Sequence, residues 1–173
     1  MAACVLAGGI AAYRTADLLH RFSGFTNPLE EARNAIDPAH GSIAWKLRNG
    51  QRVNLLLLGY GGAENDAPYL TDSMVVASLD PANGRVMLVS VPRDLSVRID
   101  AFQDQPAMQN KVNTAYAVGI QDDVYHGKKP EFVGGKDRGG LLAEQTVTSI
   151  SGLEFDGYIA VDFKASASGS AAR

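Results

Sequence analysis

The sequence has few cysteines and histidines, and their scarcity excludes several kinds of site. Its 173 residues include one cysteine, Cys4, so neither an internal disulfide nor a cysteine-based zinc cluster is possible. The three histidines, His20, His40 and His126, lie far apart and show no metal-ligand spacing. We therefore expect neither a disulfide-stabilised fold nor a histidine metal centre.

The sequence also lacks an excess of positive charge and a membrane-length apolar run at its amino end. Its 16 basic and 19 acidic residues give a net charge of −3, so we expect no nucleic-acid partner. The apolar run Ala2–Tyr13 is shorter than the roughly 20 residues that a bilayer span needs, and it lacks the features of a signal peptide. It fits an ordinary helix or, over residues 1–13, the remnant of a membrane helix. A lipid-anchored Cys4 is a third alternative.

The composition predicts a division of the chain into four parts. Residues 14–51 are mixed and mostly polar, which favours a juxtamembrane spacer, with a short helix at Pro28–Ile36 capped by Asn27. Residues 52–165 carry the apolar runs of a folded domain, which the resemblance described below identifies as the N-terminal part of a catalytic domain. Residues 166–173 contain only Ser, Ala, Gly and Arg, a composition typical of a disordered tail.

The stretch Val86–Val97, VMLVSVPRDLSV, is the centre of the predicted domain. Its Val- and Leu-rich first half predicts a strand buried on both faces, and Pro92 should end that strand because proline has no amide hydrogen. Arg93 and Asp94 would then emerge where a buried sheet meets solvent, the usual place for a site in α/β folds. Arg93 could offer a planar fork of donors to a phosphate or carboxylate. The alternative is an ordinary surface salt bridge.

Other apolar runs complete an α/β pattern. Strands are expected at Val53–Leu58, Met74–Leu79, Val86–Val91 and Tyr158–Phe163, and the turn Asp80–Arg85 should join the middle two as an antiparallel hairpin. Short helices are expected at Asn110–Val118 and Leu141–Ile150, with Gly152 as a stop and an exposed loop at Gln121–Gly140. The predicted fold class is a three-layer α-β-α sandwich around a mixed sheet that contains the hairpin.

A strand followed by Gly59-x-Gly61 raises the alternative of a dinucleotide site, with Asp80 at about the right distance downstream. The pattern fails at its third glycine, because position 64 is Glu. Residues 63–72 also contain Pro68 and show no helical stripe. We therefore disfavour this interpretation.

Carboxylates precede the second strand. Asp66 and Asp72 flank a short loop, and carboxylates near a phosphate-binding arginine are typical of a bridging divalent ion. Magnesium commonly takes one or two protein carboxylates and fills its other positions with phosphate oxygens and water. The alternative is that each aspartate only caps a turn or the element that follows.

Five blocks, in order, resemble the LytR-CpsA-Psr family of cell-envelope proteins: NLLLLGYGG, LTDSMVVASLDP, RVMLVSVPRDLSV, NKVNTAYAVG and GLEFDGYIAVDF. The resemblance covers residues 52–164. It implies a phosphotransferase that moves a glycopolymer phosphate from a polyprenyl-pyrophosphate carrier to a peptidoglycan hydroxyl, with magnesium. It further implies a single-pass membrane protein whose domain lies on the extracytoplasmic side.

The resemblance also assigns roles to residues. Asp72 matches a magnesium ligand, Arg93 the pyrophosphate-binding arginine, and Asp94 the acidic residue that holds that arginine or helps at the metal. Lys111 and Asn113 match a polar pair that we assign to substrate binding. Two departures stand out: position 61 is Gly where many members carry a second metal-binding aspartate, for which we choose Asp66 as the substitute, and the family's further arginines do not follow Lys164. The chain is therefore expected to be truncated, and the alternative function is a polyprenyl-phosphate binding module without turnover.

Overall fold

The computed structural model describes residues 39–62, 67–134 and 137–163. The strands are β1 (Val53–Tyr60), β2 (Thr71–Asp80), β3 (Arg85–Ser90), β4 (Ser96–Ile99), β5 (Met108–Lys111) and β6 (Gly157–Asp162). The helices are α1 (Ile43–Arg48), α2 (Thr114–Ile120) and α3 (Asp137–Ser151), with a 3₁₀ turn at Pro130–Phe132. None of the helices in these ranges is long and apolar enough to cross a membrane.

Several predictions fall outside the described residues. They concern the apolar run with Cys4, the helix at Pro28–Ile36, the tail at residues 166–173, and the loop carboxylates Glu64 and Asp66. These remain predictions.

The main sheet is mixed, which confirms the predicted α/β class with a hairpin. Its strand order is β3-β2-β1-β6, and β1 runs parallel to β6 with Tyr60 opposite Asp162. The neighbouring strands β2 and β3 are joined by the four residues 81–84, a connection that is too short for a parallel crossover, so they form the predicted antiparallel hairpin. Gly84 has a φ of +60° in this turn, as its place after Asn83 predicts.

The contacts divide the chain into two compact units, of which the smaller contains the described residues 39–53 and Asp80–Arg85. In this unit α1 begins after Ser42, whose Oγ accepts a hydrogen bond from the Trp45 amide at 3.2 Å. Arg52 pairs with Asp80 at 2.7 Å.

The larger unit contains Asn54–Leu79 and the described residues from Val86 onward. Its core combines apolar side chains of β1, β2, β4, α2 and α3 with the 3₁₀ turn, including Leu56, Leu58, Met74, Val76, Ile99, Val118, Phe132, Leu142 and Val147. Two glycines let α3 approach its neighbours closely. A Cβ on Gly140 would overlap the ring of Tyr158, and one on Gly139 would meet Tyr116. The helix therefore tolerates a Gly-Gly pair that its propensity alone disfavours.

Strands β4 and β5 form a separate two-stranded ribbon that the sequence analysis missed. The predicted helix at Asn110–Val118 is wrong in its first residues, since Asn110 and Lys111 belong to β5 and α2 begins at Thr114. The ribbon alternates cleanly, with Val97 and Ile99 buried and Ser96 and Arg98 exposed. Four-residue strands carry too little period-2 signal to separate them from loop.

The expectation that β3 is buried on both faces is wrong. All six residues of β3 are exposed, and Val86 and Leu88 expose 65% and 66% of their surface. The strand lies at the edge of the sheet, so only one side of its backbone has a neighbouring strand. The end of the strand is nevertheless where it was predicted, because β3 ends at Ser90 and Pro92 lies beyond it.

The predicted exposed loop at Gln121–Gly140 is also wrong in part. Phe132 is fully buried, and α3 already begins at Asp137. The Lys128 ammonium is buried and donates to the carbonyls of Val118 and Gly119, both at 2.9 Å, at the end of α2. A cation is favourable at the carboxyl end of a helix, so Lys128 stabilises the end of α2. The same segment covers the core with Phe132.

The structure contradicts the dinucleotide alternative. The dinucleotide fold begins a helix at its glycines, whereas Gly61, Gly62 and the described residues 67–70 are not helical and β2 starts at Thr71. Asp80, the downstream acidic residue of that pattern, pairs with Arg52.

Candidate functional site

Four charged residues lie in a chain of contacts at the end of the hairpin and the ribbon. Nη1 of Arg93 donates to Oδ1 of Asp72 at 2.7 Å, and Nε of Arg93 lies 3.5 Å from Oδ2 of Asp94. Nζ of Lys111 lies 2.5 Å from Oδ1 of Asp94. We call these four residues the charged cluster. Asp72 lies near the start of β2, Lys111 ends β5, and Arg93 and Asp94 occupy the turn after β3.

Backbone hydrogen bonds fix this turn. The Leu95 amide donates to the Pro92 carbonyl at 3.0 Å, which closes a tight turn around Arg93 and Asp94. The Asn113 amide donates to the Arg93 carbonyl at 3.4 Å, so the start of α2 is attached to the turn. The backbone that carries the two charged side chains is therefore held by the turn itself and by the start of α2.

The charged cluster is electrostatically balanced and open to solvent. It holds two cations and two anions, and their side chains are 51–59% exposed. The adjacent Lys111 ammonium holds the pKa of the Asp94 carboxyl below its usual range, and Arg93 contributes to a lesser degree. Exposed ion pairs contribute little to stability, so a polyanion that binds Arg93 or Lys111 can displace their carboxylate partners at small cost.

Asn113 is connected to the cluster through its backbone and is 6% exposed. Its backbone carbonyl accepts from the amide and the hydroxyl of Thr71, at 3.3 and 3.4 Å, immediately before Asp72. Its side-chain Oδ1 is buried and has no hydrogen-bond partner among the described residues. An orphaned buried acceptor costs free energy unless a ligand or ordered water satisfies it.

The oxygen ligands at this site suit a magnesium ion that takes most of its ligands from substrate and water, rather than a metal ion enclosed by protein side chains. Within residues 39–62, 67–134 and 137–163 no group of three or more His, Cys, Asp or Glu side chains could hold an ion. Magnesium needs no such cage, because one or two carboxylates and substrate phosphates suffice. Asp72 offers a half-exposed carboxylate, and Asn113 Oδ1 is an unused oxygen acceptor. Asp66, the other predicted ligand, lies outside the described residues.

The structure thus brings together Asp72, Arg93, Asp94 and Lys111, with Asn113 connected to them through its backbone.

Two other features at this end of the sheet were not predicted from the sequence. The first is a group of tyrosines. The ring of Tyr60 lies 5.2 Å from that of Tyr116 and 6.2 Å from that of Tyr69. Burial raises the pKa of both Tyr60 and Tyr116, so these hydroxyls stay protonated at neutral pH.

The second missed feature is Asp162. Gly62 has a φ of +79°, and a Cβ there would lie 2.5 Å from a carboxylate oxygen of Asp162. The glycine loop after β1 therefore runs against the carboxyl end of β6. Parallel strands end at the same edge of a sheet, so pairing VNLLLL with YIAVDF would have indicated this aspartate from the sequence.

The chain belongs to the LytR_cpsA_psr family, whose model matches residues 21–167. This confirms the resemblance noted above. The match begins within the residues assigned to the spacer.

Among curated proteins, the chain is similar to the polyisoprenyl-teichoic acid–peptidoglycan teichoic acid transferase TagU of Bacillus cereus, with 30% identity over 120 residues. That alignment covers 68% of this chain and 36% of the relative. The corresponding transferase TagV of Bacillus subtilis is 28% identical over 93 residues, which cover 54% of this chain and 18% of the relative. The chain thus spans about a third or less of these two relatives.

Among solved structures, the protein gbs0355 of Streptococcus agalactiae aligns with a TM-score of 0.50 at 19% identity. The alignment covers 71% of this chain and 37% of that chain. This likeness supports the fold alone.

Proposed function

We propose that this protein acts in transferring a glycopolymer phosphate from a polyprenyl-pyrophosphate carrier to peptidoglycan. The observation that carries the proposal is the 2.7 Å contact between Arg93 and Asp72. It places a guanidinium, which can bind phosphate, next to a carboxylate, which can bind magnesium. Membership of the family and the similarity to TagU, a polyisoprenyl-teichoic acid–peptidoglycan teichoic acid transferase, support it.

Arg93 has the chemistry to bind the pyrophosphate. Its guanidinium is a planar fork that can make two parallel bonds to phosphate oxygens, each worth about 1.5–3 kcal/mol. Asp72 and Asp94 hold this fork from two sides. Because these exposed pairs are weak, phosphate oxygens can replace the carboxylates, and the guanidinium would then stabilise the charge that builds on the leaving phosphate.

Lys111 and Asn113 are the proposed further contacts. The Lys111 ammonium is about 59% exposed and can turn from Asp94 to a phosphate oxygen. Asn113 ties the turn of Arg93 to the segment before Asp72 through its backbone. With a pKa held below its usual range, Asp94 is a poor proton acceptor, so its proposed role is to orient Arg93 and Lys111.

We propose magnesium as the cofactor, held by Asp72 together with Asp66. When bound, it would neutralise phosphate oxygens and polarise the phosphorus for attack by the acceptor hydroxyl. We also propose that the protein is anchored by a single membrane segment with this domain outside the membrane, where a lipid-linked donor and peptidoglycan would meet.

The test is transfer from a lipid-pyrophosphate-linked disaccharide to a soluble peptidoglycan fragment, with magnesium present. Arg93→Ala should lower the rate at least 100-fold, as removal of one transition-state donor typically does. Arg85→Ala is the matched control, because Arg85 is an exposed arginine at the opposite end of the same strand, and it should leave the rate unchanged. Equal rates for Arg93→Ala and wild type would remove Arg93 from the mechanism. Binding of the lipid donor by the wild type without any transfer would instead favour the binding-module alternative.

A further inference from the structure

The β4–β5 ribbon carries a polar face that continues directly from the charged cluster. In the antiparallel register Ser96 lies opposite Lys111, and Arg98 lies opposite Gln109. Residues directly opposite one another in an antiparallel pair share a face, and these four are exposed while Val97 and Ile99 face the core. Lys111 therefore belongs both to this face and to the charged cluster.

The side chains along this face already interact. Nε2 of Gln109 donates to Oγ of Ser96 at 2.7 Å, which fixes the Gln109 amide across the ribbon. The pair Arg98–Gln109 lies two residues further along the strands than Ser96–Lys111, a distance of about 7 Å at the usual strand rise. The face thus offers the hydroxyl of Ser96 beside Lys111 of the charged cluster, and the side chains of Arg98 and Gln109 about 7 Å further along the ribbon.

An open pocket lies beside this face. It has a volume of about 640 Å³, within the range of small-ligand sites, and it is bounded by the ribbon, by the loop at Gln105–Ala107 and by the last turn of α3 at Ser149 and Ile150. Most of its polar groups are amides and hydroxyls, which both donate and accept hydrogen bonds. Such groups match sugar hydroxyls, which also do both.

Among the described residues, one cation that lines the pocket has no carboxylate partner. Asp100 lines it, but its carboxylate pairs with the Lys129 ammonium at 2.7 Å. Arg98 also lines the pocket, and no carboxylate in the described part of the chain pairs with it. The charge balance therefore favours a ligand with a negative group near its sugar hydroxyls.

We propose that this ribbon pocket binds a glycan segment with an anionic group, next to the phosphates held at the charged cluster. Arg98 contacts the anionic group, and Gln109 contacts sugar hydroxyls. This inference rests on the proposed function for the origin of the glycan, which is either the polymer of the donor or the glycan of the acceptor. Binding at the pocket itself can be measured without any transfer.

The test compares three probes on the full chain by NMR or calorimetric titration. They are a prenyl pyrophosphate without sugar, a prenyl pyrophosphate bearing a disaccharide with an anionic substituent, and a soluble peptidoglycan disaccharide-peptide. Arg98→Ala and Gln109→Ala should leave the affinity for the sugarless probe unchanged. Arg98→Ala should weaken a sugar-bearing probe by at least about 10-fold, because a charged hydrogen bond to the anionic group is lost, and Gln109→Ala should weaken it by a smaller factor, because only neutral hydrogen bonds are lost. Arg85→Ala should change none of the three.

The pattern of losses identifies the source of the glycan. A loss with the sugar-bearing lipid alone assigns the pocket to the donor polymer, and a loss with the disaccharide-peptide alone assigns it to the acceptor. The proposal is overturned if Arg98→Ala weakens none of the probes, or if it weakens the sugarless probe as much as the others. Failure of the sugarless probe to bind the wild type refutes the proposed function, whereas the disaccharide-peptide arm still reports on the pocket.

Discussion

Lys111 and Asp94 are joined at 2.5 Å between Nζ and Oδ1, although they lie on different elements and both side chains are about 59% exposed. The same carboxylate also faces Nε of Arg93 at 3.5 Å. Asp94 therefore divides one negative charge between two cations that we assign to phosphate binding. Any anion that binds Arg93 or Lys111 changes the environment of Asp94, which makes its carboxyl a natural reporter of the site.

Lys111→Met should raise the pKa of Asp94 toward its ordinary range, because the ammonium is the largest cause of its depression. A titration that follows the carboxyl carbon of Asp94 by NMR measures this shift directly. Lys129→Met serves as control, since Lys129 pairs with Asp100, and it should leave the titration of Asp94 unchanged. An Asp94 titration that is the same with and without Lys111 would mean that the pair does not form in solution.

Neighbouring lysines should differ sharply in their effect on stability. Lys128 is buried and holds two carbonyls at the end of α2 as well as Asp122 at 2.6 Å, whereas Lys129 pairs with Asp100, and these two side chains are 26% and 54% exposed. Lys128→Met should lower the free energy of unfolding by about 3 kcal/mol, because it leaves buried acceptors unpaired.

Lys129→Met should lower it by less than about 1 kcal/mol. Chemical denaturation of the two variants provides the comparison. Equal losses would show that Lys128 is not the closing contact of α2.

Glu144 should make stability depend on pH. Burial, with a smaller contribution from Asp156, raises the pKa of its carboxyl to about 7 from a usual value near 4.5. Between these two values the folded protein binds a proton that the unfolded chain has lost. The stabilising contribution of protonated Glu144 is therefore complete below about pH 4.5 and is lost as the pH rises through 7.

Glu144→Gln should consequently be more stable than wild type at pH 8, and its melting temperature should change less than that of wild type between pH 5 and pH 8. Thermal unfolding at several pH values measures this. Glu131→Gln, at an exposed position of the 3₁₀ turn, should retain the wild-type slope. A wild-type slope in Glu144→Gln would refute the assignment.

The two leucines Leu56 and Leu88 test which strands form the core. Leu56 in β1 is fully buried, and Leu88 in β3 is 66% exposed. Leu56→Ala should lower the free energy of unfolding by about 2–5 kcal/mol, whereas Leu88→Ala should change it by no more than about 0.5 kcal/mol. Denaturant titration of both variants measures the contrast, and a large loss at Leu88 would show that β3 is covered in solution.

Much of the fold could be predicted because long elements carry a strong local signal. The runs that became β1, β2 and β6 are apolar and bounded by turn residues, and Asn83-Gly84 marks the hairpin. Gly152, with a φ of +70°, ends α3 where expected. Two members of the charged cluster, Arg93 and Asp94, could be placed because Pro92 fixes where β3 ends, whereas Lys111 was assigned to the site only through the family resemblance.

The rest depended on tertiary contacts. The apolar composition of β3 predicts burial, but burial requires a neighbour, and an edge strand has one on only one side. The ribbon strands are too short to show a period, and the burial of Lys128 depends on carbonyls of α2 ten and nine residues earlier. Asp162 is found only when the pairing of β1 with β6 is known.

The central claim is that Arg93 and Asp72 bind one pyrophosphate together, and titration of the protein with a short prenyl pyrophosphate, with and without magnesium, tests it most directly. Wild type and Arg85→Ala should bind, and magnesium should tighten both. Arg93→Ala should weaken binding at least 10-fold under either condition, because about 1.5–3 kcal/mol per charged hydrogen bond is lost. Asp72→Asn should abolish the effect of magnesium. Wild-type affinity in Arg93→Ala, or an undiminished magnesium effect in Asp72→Asn, would contradict the account.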